Sequence, residues 1–449
     1  MSGFYEPLFR RVLFPIYESG LRRRKTLDYL REYERSQWRT LEETEALQWR
    51  KLQDLIRHCW EQVPYYRERW QALGIAAPED IAGPADYARL PVLNKPEIRA
   101  NFDKLIAPGY RDGMLYKTTG GSTGEPLRFG YTRESYERRL SIMWRGYGWA
   151  GARLGQRTLY LWGTSIGAQK RKDRLYHAGF NRYMLNAFEM SEARMAEYAD
   201  AIDRFRPETI VSYVAPIVKM AEWLITNGRR IHRPQRILGA AETLHESQRR
   251  IIEQAFGCPA YNTYGCREFM LIAAECEHRG GLHVNADHLK VELGAVNGEG
   301  QDESGPRDII VTDLHNYGMP LLRYANGDLA TAGPRTCACG RGLPLLASVD
   351  GRKLDALRTR DGRFVPGEYI VYAFLYATGI KRYQVVQKQL DTFEIRIVRD
   401  RDFEPSAIDL VRRELLKVVG DSVALNFEFV DEIPLTQTGK LRVTISELP

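Results

Sequence analysis

Thr158-Leu159-Tyr160-Leu161-Trp162, Thr209-Ile210-Val211-Ser212-Tyr213 and Arg236-Ile237-Leu238-Gly239 are three short apolar runs in the middle of the chain. Each has the length and the β-branched or aromatic content of a buried strand. Between them lie Ser191 to Phe205 and Ile217 to Thr226, whose apolar spacing is helical. Strands alternating with helices predict an α/β fold with a mainly parallel sheet. The pattern runs from about Tyr116 to Arg352, and His283-Val284-Asn285 and Ile309-Ile310-Val311-Thr312 announce a more β-rich portion near its end.

On the N-terminal side, residues 1–75 read as a helical extension containing Trp38, Trp49, Trp60 and Trp70. Leu47, Leu52, Leu55 and Ile56 give the stretch from Leu41 to Trp60 an amphipathic stripe, and Pro64 ends it. The simplest reading is a helical layer packed on the main domain. The mixture of apolar and basic residues from Phe4 to Lys25 also suits a membrane surface. On the C-terminal side, Gln384 to Gln387 and Phe393 to Val398 read as strands, Ser406 to Val419 as a helix, and Leu425 to Val430 as a further strand. The expected organisation is a large domain over residues 1–353 and a small α+β domain over residues 354–449.

Composition narrows the class. The chain has 449 residues, 44% hydrophobic and 27% charged, which is ample material for a globular core. Apolar runs fall short of the roughly 18–20 residues of a membrane span, and the N-terminus lacks the order of features of a signal peptide. A cytoplasmic protein without stable membrane insertion is expected. Lysine and arginine total 65 against 58 acidic residues, a net charge of +7 partly concentrated in Leu21-Arg22-Arg23-Arg24-Lys25. A nucleic-acid binder would spread such clusters into a stripe, so no nucleic-acid partner is expected. The modest excess suits anionic small-molecule substrates.

The strongest local signal is Tyr116-Lys117-Thr118-Thr119-Gly120-Gly121-Ser122-Thr123-Gly124-Glu125-Pro126-Leu127. Glycines let a backbone turn tightly against an anion, and hydroxyls and exposed amides donate to phosphate oxygens. It is not a Walker loop, because Gly124 is followed by Glu125-Pro126 and Pro126 obstructs an immediate helix. Further segments follow in order: Gly239-Ala240-Ala241-Glu242-Thr243, Tyr264-Gly265-Cys266-Arg267-Glu268, Arg323-Tyr324-Ala325-Asn326-Gly327-Asp328-Leu329, Asp350-Gly351-Arg352-Lys353-Leu354-Asp355 and Pro434-Leu435-Thr436-Gln437-Thr438-Gly439-Lys440-Leu441-Arg442.

Together, from Tyr116 to Arg442, these segments resemble the adenylate-forming superfamily. The Thr119–Gly124 loop and the earlier Pro91-Val92-Leu93-Asn94-Lys95 look most like the phenylacetate–coenzyme A ligase family and its capsule-biosynthesis-associated relatives. The resemblance implies a large adenylate-forming domain of mixed sheets and helices with a small mobile C-terminal domain. It also implies a role for each segment. Thr119, Gly120, Gly121, Ser122, Thr123 and Gly124 would hold the β- and γ-phosphates of ATP. Gly239, Ala240, Ala241 and Glu242 would lie along the adenine, and Tyr264 would stack on it, with Gly265 leaving room. Glu268 would hold Mg²⁺, a hard cation suited to carboxylate and phosphate oxygens. Asp328 would accept from the ribose hydroxyls, and Arg352 would sit near ribose or phosphate. Lys440, brought by the small domain, would neutralise charge developing between carboxylate and α-phosphate. Trp162, Tyr213 and Ala215, with Gly239 and Tyr264, would line an acid pocket suited to a flat aromatic ligand.

The implied activity is ATP-dependent conversion of a carboxylic acid to its acyl-adenylate, then transfer to a thiol, coenzyme A above all. A carrier protein or an amine is the alternative acceptor, and a homodimer is compatible with this reading. A zinc-bearing nucleic-acid-binding protein is the rival from another class, and it leaves the Tyr116–Gly124 loop and Lys440 unexplained. Three positions depart from the pattern. Glu125 stands where a Lys is common, Arg267 where Ser or Thr is usual, and Leu354 where an Asp marks the hinge.

Six cysteines in an intracellular chain of this length argue against a disulfide framework. Cys276-Glu277-His278, His283 and Cys337-Ala338-Cys339 supply three thiols and two imidazoles, the donor types of a tetrahedral zinc site. Cys276, Cys337 and Cys339 with His283, or His278 in its place, would complete a structural site. Four protein ligands leave no open position for catalysis. Cys59 and Cys258 read as packing residues.

Overall fold

A computed structural model describes residues 2–119, 127–162, 176–187, 190–294, 305–352, 357–359, 364–365, 370, 373–374, 377–434 and 442–448. The first strands, β1 (Leu115–Thr118) and β2 (Arg128–Tyr131), form an antiparallel hairpin. Next come β3 (Thr158–Trp162), β4 (Arg182–Asn186), β5 (Thr209–Tyr213), β6 (Arg236–Ala240) and β7 (Ala260–Cys266). These pair in parallel in the order β4-β3-β5-β6-β7. Parallel strands need crossover connections, and the helices Glu192–Phe205, Val214–Thr226 and Glu246–Phe256 lie in those from β4 to β5, β5 to β6 and β6 to β7.

The sheet then changes character. Among the described residues, β8 (Met270–Glu275), β9 (Leu282–Val284), β10 (Leu289–Gly294), β11 (Arg307–Asp313), β12 (Tyr324–Ala332) and β13 (Leu345–Arg352) extend it beyond β7. Their order outward is β8-β9-β13-β12-β11-β10, with antiparallel pairing throughout. The mixed α/β fold expected from the alternating pattern is therefore present, with a parallel half and an antiparallel half in one sheet.

Separate apolar clusters hold the two halves. Leu159, Leu161, Ile210 and Ile237 of the parallel strands pack with Ala199, Ile202, Ile217, Met220 and Ile252 of the crossover helices. Truncating Ile237, which is fully buried, to Ala would cost roughly 2–5 kcal/mol. Leu52, Leu55, Ile56 and Trp70 join Ala273, Ala274 and Tyr324 of the antiparallel half in a second cluster. These N-terminal residues sit on the helices Leu41–Gln62 and Pro64–Gln71, with Thr40 and Glu43 forming a capping box at the first. Extended Val63 precedes Pro64, so the proline both stops one helix and opens the next.

A buried ionic network adds to this docking. The guanidinium of Arg145 donates to both carboxylate oxygens of Asp287, at 2.6 and 2.7 Å, and to the backbone carbonyl of Tyr33 at 2.9 Å. Removing one partner would leave the other charged and unpaired in the core, a loss of roughly 3–5 kcal/mol.

The C-terminal portion carries β14 (Leu357–Arg358) paired with β15 (Phe364–Val365). A further sheet contains β16 (Ile380–Gln389), β17 (Thr392–Arg399), β18 (Ala424–Phe429) and β19 (Thr444–Ser446) in the order β18-β17-β16-β19. The helix Ser406–Val419 places Val411 and Leu415 against Phe393, Ile395 and Ile397 in a cluster distinct from the other two. No helix of the described residues is long and apolar enough to cross a membrane.

Candidate active site

Ligands of open α/β sheets lie outside the carboxyl ends of the parallel strands. Here those ends are Trp162 on β3, Tyr213 on β5, Ala240 on β6 and the Tyr264–Cys266 stretch of β7. The rings of Trp162 and Tyr213 lie 4.3 Å apart between centroids at 43°. Tyr213 leads directly into the helix Val214–Thr226 and gives it no side-chain cap. Glu242 takes that role, its Oε2 accepting the Ala215 backbone N–H at 2.7 Å. A carboxylate at a helix N-terminus is stabilised by the unpaired amides and the helix dipole. The turn that delivers it has Ala241 at φ +65°, left-handed backbone that costs an L-residue on the order of 1 kcal/mol. Thr243 secures the turn by donating from Oγ1 to the Val349 carbonyl at 3.2 Å, and Thr263 Oγ1 donates to the Gly239 carbonyl at 2.7 Å.

Tyr264, Asn326 and Asp328 form a closed polar triangle beside this turn. The Tyr264 hydroxyl donates to Asp328 Oδ2 at 2.8 Å, and Asn326 Nδ2 donates to Tyr264 Oη at 2.7 Å and to Asp328 Oδ2 at 2.9 Å. The backbone explains the convergence. From the pair Ala325↔Ile310 to the pair Leu329↔Asp308, β12 advances four residues while β11 advances two. Gly327, at φ +88°, lies in that bulge and re-aims Asn326 and Asp328 toward β7. Burial, reinforced by the Asp328 carboxylate, pushes the Tyr264 hydroxyl well above its usual pKa, so it stays protonated and donates.

Glu268 is buried and accepts from Tyr324 Oη at 3.0 Å. Desolvation, with the Glu268 carboxylate adding to it, pushes the Cys266 thiol well up and keeps it a thiol. Gly265 has a local reason for being glycine. A Cβ there would collide with the Met270 carbonyl across the β7–β8 bulge. Register also brings two expected residues together, because Asp328 on β12 pairs directly with Arg352 on β13.

Thr119 closes its loop. Its N–H donates to the Leu127 carbonyl at 2.8 Å, and its Oγ1 accepts from the Leu127 N–H at 2.9 Å. Arg267, the departure from the common pattern, donates to the Thr118 carbonyl at 2.8 Å and so joins the β7–β8 turn to the base of that loop. Gly120, Gly121, Ser122, Thr123, Gly124, Glu125, Gly163, Thr164, Leu354 and Lys440 lie outside the described residues, as does the side chain of Arg352. Asn326 and Tyr324 were not singled out by the sequence reading. The signal for Asn326 is the Asn326-Gly327 pair, a bulge signature inside a strand-like run.

The cysteine cluster stands at the other end of β8. Cys276 Sγ lies 3.7 Å from Cys337 Sγ, and Cys339 Sγ lies 3.3 Å from His283 Nε2. The four donor atoms all fall within 4.8 Å of one another. His278 instead offers its backbone N–H to Cys276 Sγ at 3.4 Å. Burial holds the His283 imidazole down to about 4, hence neutral, and the Trp149 ring packs edge-on against it at 5.6 Å. Six residues of β8 place this cluster about 20 Å from the Cys266–Met270 turn.

Comparison with known proteins agrees with this architecture. Residues 357–447 match the CapK C-terminal domain family. Protein CapK of Staphylococcus aureus is 27% identical over 380 residues, covering 81% of each chain. The phenylacetate–coenzyme A ligase of Thermus thermophilus is 25% identical over 420 residues, covering 86% of this chain and 93% of its own. In structure, 2-hydroxyisobutyryl-CoA ligase, crystallised in the postadenylation state with an acyl-AMP, superposes with a TM-score of 0.72 at 18% identity, covering 92% of this chain and 91% of its own.

Proposed function

We propose that the chain, similar in sequence to CapK and to phenylacetate–coenzyme A ligases and in fold to an adenylate-forming ligase, is an acid–thiol ligase. In the first step a carboxylate oxygen of the acid attacks the α-phosphorus of ATP, and pyrophosphate leaves. In the second, the thiol sulfur of coenzyme A attacks the acyl carbon, its proton is lost, and AMP leaves. The observation that carries this reading is the convergence of the Glu242 turn, the Tyr264–Asn326–Asp328 triangle and buried Glu268 at the carboxyl ends of the parallel strands.

Each group has a chemical task in this reading. Asp328, held by Tyr264 and Asn326, accepts from the ribose hydroxyls with an orientation fixed beforehand. Arg352, its partner across the ladder, contributes positive charge near ribose or phosphate. Glu268 would hold Mg²⁺, and such an ion would supply positive charge against the phosphates. The loop from Thr119 to Gly124, closed at Leu127, wraps the β- and γ-phosphates with its amides and hydroxyls. Arg267 at the base of that loop supplies a cation where Glu125 supplies none. Lys440 steadies the charge that grows between carboxylate and α-phosphate. Trp162, Tyr213, Ala215, Gly239 and Tyr264 bound the acid, and the paired Trp162 and Tyr213 rings favour a flat aromatic one.

The division into a large domain over residues 1–353 and a small one over 354–449 belongs to the same proposal, with rotation of the small domain bringing Lys440 in for the first step. The cysteine cluster fits structural zinc. A tetrahedral site with Zn–S bonds of about 2.3 Å sets sulfurs about 3.8 Å apart, and Cys276 and Cys337 lie at 3.7 Å. Cys276, His283, Cys337 and Cys339 would hold the ion, tying the β8–β9 turn to the β12–β13 loop.

Acid-dependent exchange of labelled pyrophosphate into ATP, screened over aromatic and aliphatic acids, tests the first step. Mass spectrometry of products with and without coenzyme A tests the second. Exchange with no acid of the panel would overturn the ligase assignment. Exchange without a coenzyme A thioester would move the acceptor to a carrier protein or an amine.

A further inference from the structure

The N-terminal segment takes no part in that chemistry, yet its surface is built with care. Phe9–Leu13 and Ile16–Leu21 are π-helical, with wide turns closed by i→i+5 hydrogen bonds. Phe9, Phe14 and Glu18 recur at intervals of five and four residues and are buried. Phe9 and Phe14 pack edge-on against Phe180 at 5.2 and 5.6 Å, which fastens the segment to the body of the protein. Val12, Ile16 and Leu21 recur at intervals of four and five residues on the opposite side. They are 42%, 57% and 75% exposed, and Leu13 beside them is 41% exposed.

The exposed charge on this segment has one sign. Glu18 is the one acidic residue between Pro7 and Leu27. It is buried, 3.5 Å from Arg24 and accepting from Thr26 Oγ1 at 2.8 Å. Arg11, Arg22, Arg23 and Lys25 are exposed. The turn that carries three of them is fixed in place: Arg133 Nη2 donates to the carbonyls of Arg22 and Arg23 at 2.7 and 2.5 Å, and the Lys25 N–H donates to Glu137 Oε2 at 2.9 Å.

We propose that this face docks the protein peripherally on an anionic lipid bilayer, with Val12, Leu13, Ile16 and Leu21 entering the interface and the basic residues meeting the head groups. Exposed aliphatic side chains flanked by cations, without an exposed carboxylate among them, match both the polarity step and the charge of such a surface. A polyanion without an apolar layer would satisfy the arginines and leave the aliphatic row in water.

The test is co-sedimentation of the full chain with vesicles of equal parts phosphatidylglycerol and phosphatidylcholine, beside vesicles of phosphatidylcholine alone. Binding to the anionic vesicles only is expected, weakening as salt rises. The paired substitution Ile16→Asp and Leu21→Asp should lower the partition coefficient about tenfold or more, and Arg22→Glu with Arg23→Glu should do the same. All four side chains are exposed, so the melting temperature should stay unchanged and certify the fold. Absent sedimentation, equal binding to neutral vesicles, or binding indifferent to Ile16→Asp with Leu21→Asp would each overturn the proposal. So would a dimer that those aspartates convert to a monomer without vesicle binding, which would assign the face to a second copy of the chain.

Discussion

The two ends of β8 carry polar clusters of opposite design. Near Met270, the Tyr264–Asn326–Asp328 triangle and Glu268 draw on donors from β7, β12 and the turn between β7 and β8. At Cys276, the donor atoms of three thiols and one imidazole all lie within 4.8 Å of one another. The first arrangement holds an acceptor group toward the carboxyl edge of the parallel strands, where a ligand can enter and leave. The second, on the proposed reading, would satisfy one small ion completely. Chemistry that must turn over needs the former, and cross-linking of loops needs the latter.

That contrast can be broken by substitution, ranked here by expected effect on adenylation. Lys440→Ala should lower pyrophosphate exchange roughly 10²–10³-fold, the usual loss when one preorganised donor to a developing charge is removed. Retained exchange would remove Lys440 from the first step. Asp328→Asn keeps the shape of the triangle while removing its charge, and it should raise KM for ATP about tenfold to a hundredfold with little change in melting temperature. A collapse of stability instead would mark the triangle as architecture. Tyr264→Phe deletes one hydroxyl from the same group, and initial-rate kinetics should show KM for ATP raised about two- to tenfold.

Cys337→Ser with Cys339→Ser should leave turnover per folded molecule within about twofold of the parent. The same variant should lose one equivalent of bound zinc by metal analysis and melt at a lower temperature. Loss of turnover in the still-folded fraction would mean that the two ends of β8 are not independent.

Three of the five parallel strands were legible because buried strands leave apolar runs, whereas β4 and β7 were not read as strands. Thr158–Trp162 and Thr209–Tyr213 coincide with β3 and β5, and the run from Arg236 extends one residue further, to Ala240. The helix read from Ile217 begins at Val214, because Glu242 caps it from 27 residues away. No local pattern announces a cap that distant. Asp328 carries the same lesson. After Asn326-Gly327 it has the look of a turn residue, yet it lies inside a nine-residue strand, where the bulge aims it at Tyr264. Its hydrogen-bond partners are set by pairing in three dimensions. The pairing of Arg145 with Asp287 was illegible for the same reason, since 142 positions separate two residues that meet only once the sheet and the N-terminal layer have come together.

One ladder contact reaches beyond the active site. Asp328 pairs with Arg352 at the last position of β13, and β14, the first strand of the C-terminal portion, begins at Leu357. If Asp328 grips the nucleotide as proposed, that grip bears, across one ladder pair, on the end of the strand that precedes the C-terminal portion. On the proposed reading, nucleotide occupancy would stiffen the end of that strand, and release of AMP would free it. Timing of the swing would be set by the ribose end of the nucleotide, without a separate sensor.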